Sequence, residues 1–400
     1  MLAQMDHLKM NKNNKIKQDT LLTTASLNPQ GNHGIPNPPI YRASTIISDT
    51  LAQYRGEEPQ AYDYGRVGTP TSEAFETAVA ALYGADDVVT TPSGLSAINI
   101  ALMSFAKAGD HVLLPDSIYG TSRAFITKML TKWGIEIEFY RPRMNEGITS
   151  LIKENTTILY LESPGSLTFE LQDVPAMVAI AQNKGILTMI DNTWGTAINY
   201  NALSMGVDVI IEAATKYITG HSDVNLGIIC AKGQNAVRLR HTVRMMGICA
   251  GPEDLYLGVR GLRTMSLRLN QSGKTGIALA EFVEQQKAVD KVLHPALASF
   301  PDHALYQRDF KGSCGLFGFT IHQSYSQEQI DKAAQALEIF QIGASWGGFE
   351  SLFSQAVLDE HKRAFPEEVP QGYLMRVYAG LEDQDDLRDD LARFFDALEA

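Results

Sequence analysis

Lys216 lies in the run Asp208-Val-Ile-Ile-Glu-Ala-Ala-Thr-Lys-Tyr-Ile-Thr-Gly-His-Ser222, where an apolar stretch ends and two small residues, Ala213 and Ala214, precede the lysine. If the stretch is a buried strand, the lysine stands at the edge of a sheet. Desolvation there lowers its pKa and favours the neutral amine that condenses with a carbonyl compound as a Schiff base. Alone, Lys216 reads as one more lysine on a solvated face. Asp191 ends another apolar run 25 residues earlier; a carboxylate there either holds a protonated ring nitrogen or caps a loop. The segment Thr91-Pro-Ser-Gly-Leu-Ser96 joins a strand to a helix, so Gly94 lets the backbone approach a ligand while the first helical amides form a phosphate seat. Such turns are common in proteins of every function. Tyr119 follows a third apolar run and suits either stacking on a planar ring or core packing. Arg376 interrupts the apolar run Tyr373–Tyr378; a guanidinium there needs an anion, either a protein carboxylate or the carboxylate of an amino acid held bidentately.

An amine, a ring-nitrogen partner, a phosphate seat and a stacking ring together match pyridoxal phosphate (PLP), provided that one sheet edge collects them. The sequence supplies such a sheet. From about Thr71 it alternates between helices at Ser72–Tyr83, Leu95–Ala108, Ser122–Trp133 and Val174–Asn183 and strands at Val88–Thr91, His111–Leu114, Thr157–Leu161 and Leu187–Asp191. The apolar runs Val207–Ile211 and Leu226–Cys230 complete the pattern. Short Val/Ile/Leu strands between helices predict a mainly parallel sheet covered on both faces, a doubly wound α/β domain over 67–262, whose ligands gather at the carboxyl ends of the strands. Residues 263–400 predict a smaller α+β domain: a helix around Leu279–Val292, a strand at Leu316–Ile321, a helix at Gln327–Phe340, a strand at Tyr373–Tyr378, and a last helix with Leu387, Leu391, Phe394 and Leu398 on one face. Residues 1–66 read as a polar tail to about residue 20 and a Pro-containing irregular arm.

Composition narrows the partners. The formal charge of −12 disfavours nucleic acid. The three scattered cysteines form neither a disulfide framework nor a CxxC metal pair, and no metal site is expected. No apolar run reaches membrane-spanning length and the first twenty residues lack a signal-like core, so a cytoplasmic location is expected. No GxGxxG or GxxxxGK pattern supports a nucleotide-binding reading, and the joint presence of Lys216, Asp191, Tyr119 and Arg376 argues against a non-catalytic sensor.

Over its fifteen positions Asp208–Ser222 resembles the lysine signature of the Cys/Met-metabolism PLP-dependent enzymes, whose fold is type I, the aspartate-aminotransferase-like fold. The resemblance runs from about Tyr62 to the C-terminus. It implies that Lys216 carries the cofactor and moves protons, that Asp191 pairs with the pyridine nitrogen, that Tyr119 stacks on the ring, and that Gly94, Leu95 and Thr215 bind the phosphate. Tyr62-Asp-Tyr-Gly-Arg66 looks like a further family motif, which implies that Tyr64 and Arg66 reach the cofactor phosphate of a neighbouring subunit, in a homo-oligomer of paired dimers. Arg376 and Ser345 would hold the substrate's α-carboxylate.

Family members divide among β-lyases, γ-lyases, γ-synthases and sulfhydrylases. Ala344-Ser-Trp-Gly-Gly-Phe-Glu-Ser351 resembles the Ser-Trp-Gly-Gly form of bacterial cystathionine β-lyases, so Trp346 points to β-elimination from a sulfur amino acid. Leu161-Glu-Ser-Pro-Gly165 and Ala213-Ala214-Thr215 point the same way. Ala344 and Phe349 depart from the β-lyase pattern, which keeps a cysteine-S-conjugate β-lyase and a methionine or cystathionine γ-lyase as alternatives.

Overall fold

The computed structural model describes residues 16–356 and 363–400. Seven strands build the larger sheet: β1 Asp87–Thr91, β2 His111–Pro115, β3 Glu136–Tyr140, β4 Thr156–Glu162, β5 Leu187–Asp191, β6 Val209–Glu212 and β7 Gly227–Ala231. Their order is β1-β7-β6-β5-β4-β2-β3. β2, β3, β4, β5 and β6 run parallel, and β7 alone runs against its neighbours β1 and β6. The central strands are almost continuously apolar because both faces are covered: Leu113, Leu161, Ile190 and Ile210 join one buried cluster, Val112, Tyr160, Met189 and Ile211 the other.

The expected parallel α/β layer is therefore present, with differences in detail. β3 was not expected, since its glutamates at 136 and 138 mask the apolar alternation of an edge strand. The helix expected at Ser122–Trp133 is α-helical only over Gly120–Phe125; one π turn, Ile126–Leu130, and one 3-10 turn, Thr131–Trp133, complete it. The helix at Leu95–Ala108 spans Gly94–Phe105. Within the expected polar tail, Gln18–Thr24 forms a helix that packs Leu22 into the core; residues 1–15 of that tail lie outside the described residues.

The second sheet has the order β10-β11-β12-β9-β8, with β8 Val289–Leu293, β9 Leu316–Ile321, β10 Gln341–Ile342, β11 Leu352–Gln355 and β12 Tyr373–Tyr378. Its inner face packs Phe317, Phe319 and Phe353 against Leu387, Leu391, Phe394 and Leu398 of the helix Gln384–Glu399, the stripe expected from sequence. That helix starts at Asp383, whose carboxylate caps the Asp385 amide, with Asp385 and Asp386 at the positive end of the dipole. The helix expected at Leu279–Val292 is corrected. It is the end of a 33-residue helix, Pro252–Glu284, and Val289–Leu293 turns back to pair with β9. Val289, Val292 and Leu293 fit either period, and only the β9 edge decides between them. The helix at Gln327–Phe340 likewise stops at Ala334.

The long helix gives Val259, Leu262 and Met265 to the buried cluster on one face of the larger sheet and Leu279, Ala280 and Val283 to the core of the second sheet, and it runs through the boundary expected at 262/263. We propose that it is the shared beam of the two domains. At Gly261 a Cβ would come within 2.1 Å of the Ile218 carbonyl, so only glycine lets the helix lie this close behind the turn that carries Lys216. Arg268, about two turns further along, is buried and donates to the carbonyls of Ile218 and Gly261. Among the described residues no helix is long and apolar enough to cross a membrane.

Candidate active site

Four strands of the larger sheet, β1, β2, β5 and β6, end at one edge and lead to Gly94, Tyr119, Asp191 and Lys216. After β6 the chain makes a tight turn, with the Lys216 amide bonded to Ala213 O at 3.0 Å and the Gly220 amide to Lys216 O at 2.8 Å. The turn aims the half-buried Lys216 at the second sheet, where its Nζ donates to Ser345 Oγ at 2.6 Å and lies 5.2 Å from the Trp346 ring centroid. Burial, then the charge of Arg376, pulls the amine down to about 8, against a smaller upward pull from Asp191. A neutral amine is thus accessible near neutral pH.

Asp191 ends β5. Its carboxylate accepts from the Thr193 amide at 3.0 Å and the Thr193 hydroxyl at 2.5 Å. Burial pushes it above the usual aspartate range, while the Thr193 bonds and Lys216 oppose the shift. A cationic partner at Asp191 would relieve that burial cost. Arg376, in β12, donates to the Ser345 carbonyl at 3.3 Å and pairs with no carboxylate among the described residues. Burial lowers its pKa. No protein carboxylate among the described residues fills the place of its ion-pair partner, which leaves the guanidinium open to an anion. Ser345 has φ +86, a strained conformation for a residue with a Cβ, held there between Lys216 and Arg376. Trp346 packs against Tyr217 with ring centroids 5.6 Å apart.

The helix Gly94–Phe105 follows β1. Ser93 caps it by accepting the Ser96 amide at 3.1 Å, which leaves the Gly94 and Leu95 amides without a protein partner among the described residues. A Cβ on Gly94 would lie 2.5 Å from the Ala213 Cβ, so the glycine is what lets this helix end meet the Lys216 turn. Thr215 sits in that turn, but its hydroxyl is engaged with Leu226, donating to the carbonyl at 3.1 Å and accepting the amide at 2.8 Å. Tyr119, beyond β2, exposes 43% of its surface and donates its amide to Glu162 Oε2 at 2.9 Å.

Lys216, Ser345, Trp346 and Arg376 thus come together directly, and Asp191 and Tyr119 are coupled to them electrostatically. Tyr64 and Arg66 do not join this cluster within the chain. Arg66 donates to the Arg244 carbonyl at 3.0 Å, and both residues line a separate groove of about 630 Å³ with Tyr41, Arg240 and Glu253. Sequence reasoning assigned no role to Glu162 or to Ser222 and Glu350. Glu162 ends β4 as Asp191 ends β5, so the strand-end argument applied there would have found it. The Ser222 hydroxyl donates to Glu350 at 2.7 Å, tying the Gly-His-Ser end of the lysine run to the loop of Ser345; no spacing rule reveals that contact.

The residues present fit PLP: two open amides at a helix start, a partly buried carboxylate lacking a full counter-charge, a neutralisable amine and an exposed aromatic face.

Comparison with known proteins agrees. A model of the Cys/Met metabolism PLP-dependent enzyme family matches residues 19–396. The cystathionine beta-lyase MetC of Escherichia coli (strain K12) is 36% identical over 384 residues, covering 94% of this chain and 97% of that protein. The L-alanine/L-glutamate racemase of Wolbachia pipientis wMel is also 36% identical, over 94% of this chain and 96% of that protein. The structure of cystathionine gamma-lyase from Lactobacillus plantarum complexed with L-serine superposes with a TM-score of 0.90 at 26% identity, covering 96% of this chain and all of that one. The expected fold type I is borne out.

Proposed function

Since the chain belongs to the Cys/Met metabolism PLP-dependent enzyme family, and so works with PLP, we propose that it is a carbon–sulfur β-lyase. Its reaction would be cleavage of L-cystathionine, with one water, into homocysteine, pyruvate and ammonia. The observation that carries this reading is the Lys216 amine lodged between Ser345, Trp346 and Arg376. When bound, PLP supplies the electron sink for the pair released at the substrate's Cα. Arg376 would take the α-carboxylate through its open guanidinium edge and orient the Cα–H bond toward Lys216. Lys216 Nζ, neutral above about pH 8, would take the Cα proton and return a proton to the departing sulfur of homocysteine. Ser345 Oγ holds Nζ between those tasks, and the Trp346 ring walls the site beside it. Asp191 would hold the ring nitrogen protonated, Tyr119 would cover the ring, and Gly94, Leu95 and Thr215 would receive the phosphate, with the Thr215 hydroxyl turning from Leu226 to do so.

Tyr64 and Arg66 would act on the neighbouring subunit's cofactor in a homo-oligomer. Lys216 does not line their groove, and the arm that carries them exposes Ile47, Leu51 and Tyr54.

Two comparisons favour other outcomes: the γ-lyase structure and the racemase. Incubation of the PLP-loaded protein with L-cystathionine, and separately with L-alanine and L-glutamate, distinguishes them. The proposal expects pyruvate and homocysteine; 2-oxobutyrate would make it a γ-lyase, and conversion of L-alanine or L-glutamate to the D-form without a keto acid would make it a racemase.

A further inference from the structure

Glu162 and Asp191 stand side by side in register at the ends of β4 and β5. Glu162 is only 7% exposed, yet it has no direct ion pair among the described residues. Its backbone is fixed from below: its amide donates to Gln172 Oε1 at 3.0 Å, and Gln172 Nε2 donates to the buried Tyr140 hydroxyl at 2.9 Å. Its carboxyl reaches across to the segment after β2, where Oε2 accepts the Tyr119 amide at 2.9 Å.

Tyr119 has little else to hold it. It precedes a six-residue helix without side-chain capping, its ring contacts no other ring among the described residues, and its remaining backbone bond is the one its carbonyl accepts from the Arg123 amide. A backbone pinned at its amide fixes the direction of the Cα–Cβ bond and so of the ring. We propose that Glu162 is a positioning residue for the cofactor: as a strut from the β4 end to the Tyr119 amide, it sets the face that Tyr119 presents opposite Asp191. This rests on the reading of Tyr119 as the ring that covers PLP.

The charged groups facing Glu162 are Asp191 from β5, Arg363 from the segment after the undescribed residues, and Glu170 from the loop after β4. Burial foremost, and then Asp191, drives the Glu162 carboxyl toward its protonated form, with the Tyr119 amide and Arg363 opposing. A neutral acid leaves Asp191 as the anion for the cofactor. It is also mimicked by glutamine, whose carbonyl oxygen still accepts the Tyr119 amide.

The experiment compares holoenzymes of wild type, Glu162→Gln, Glu162→Ala, Glu162→Asp and Tyr119→Ala by the circular dichroism induced in the visible cofactor band and by the rate of PLP release into cofactor-free buffer. Glu162→Gln is expected to match wild type. Glu162→Ala is expected to lose at least half of the induced signal and to release PLP about tenfold faster, the consequence of losing one buried hydrogen bond, and so to resemble Tyr119→Ala. Glu162→Asp, whose carboxyl is set back by one methylene, repeats that outcome should the alanine variant fail to fold. If Tyr119→Ala changes both readouts while Glu162→Ala and Glu162→Asp change neither, the strut is refuted and the stacking role of Tyr119 stands. If Tyr119→Ala itself changes neither, both fail. Loss in Glu162→Gln equal to that in Glu162→Ala would refute the neutral form.

Discussion

A lysine at the ordinary value of about 10.4 is neutral in roughly one molecule in 2,500 at pH 7. Lys216, drawn down to about 8, is neutral in about one in ten. Its nucleophilic form is therefore enriched more than a hundredfold, and Arg376 is the second-largest cause after burial. Replacing Arg376 with leucine removes a like charge across a short, partly solvated gap, worth on the order of 1–2 kcal/mol, or about one pKa unit upward. The assay is competitive labelling of protein freed of PLP with a limiting amine-selective reagent between pH 6 and 11, with the Lys216 peptide quantified by mass spectrometry. Wild type should show labelling that rises about tenfold per pH unit and levels above about 8. Arg376→Leu should level near 9, with labelling at pH 7 down about tenfold. The sign follows from the depressed pKa: the folded chain sheds this proton at lower pH than the unfolded chain, so stability tied to Lys216 grows as pH rises from about 8 toward 10.5. A wild-type midpoint above 10, or equal midpoints in both proteins, would refute the electrostatic account.

Three further outcomes are expected. Asp191→Asn should keep a yellow, PLP-loaded protein but lower turnover of L-cystathionine at least a hundredfold, because the amide cannot stabilise a protonated ring nitrogen; a loss under fivefold in a coupled keto-acid assay counts against its role. Gly94→Ala drives a Cβ to 2.5 Å from Ala213, so PLP retention on gel filtration should fall at least tenfold while the far-ultraviolet spectrum stays native. Arg363→Leu strands Glu170, which is 1% exposed and bonded to Arg363 at 2.8 Å; it should cost about 3 kcal/mol and lower the melting temperature by several degrees in a thermal scan.

Sequence patterning by itself determined the α/β layer and marked the strand ends where the candidate residues stand. Apolar runs of strand length that end in Asp191, in Glu212 just before Lys216, and in Thr91 just before Gly94 fit a mainly parallel sheet covered on both faces. The carboxyl ends of such strands are where ligands collect. Local pattern therefore placed Lys216, Asp191 and Gly94 at or just beyond strand ends. Where local signals were degenerate, they were overridden: Val289–Leu293 suits a helix as well as a strand until β9 offers it an edge, and the glutamates of β3 hide an edge strand.

Only the tertiary structure decided which distant groups touch Lys216. Ser345 comes from the loop between β10 and β11 and is held in turn by Arg376 of β12, and Glu162 at the end of β4 reaches Tyr119 beyond β2. The shift of the Lys216 amine to about 8 depends on burial and on Arg376, 160 residues away in the chain. Desolvation and Coulomb forces act through space, so no spacing along the chain encodes them.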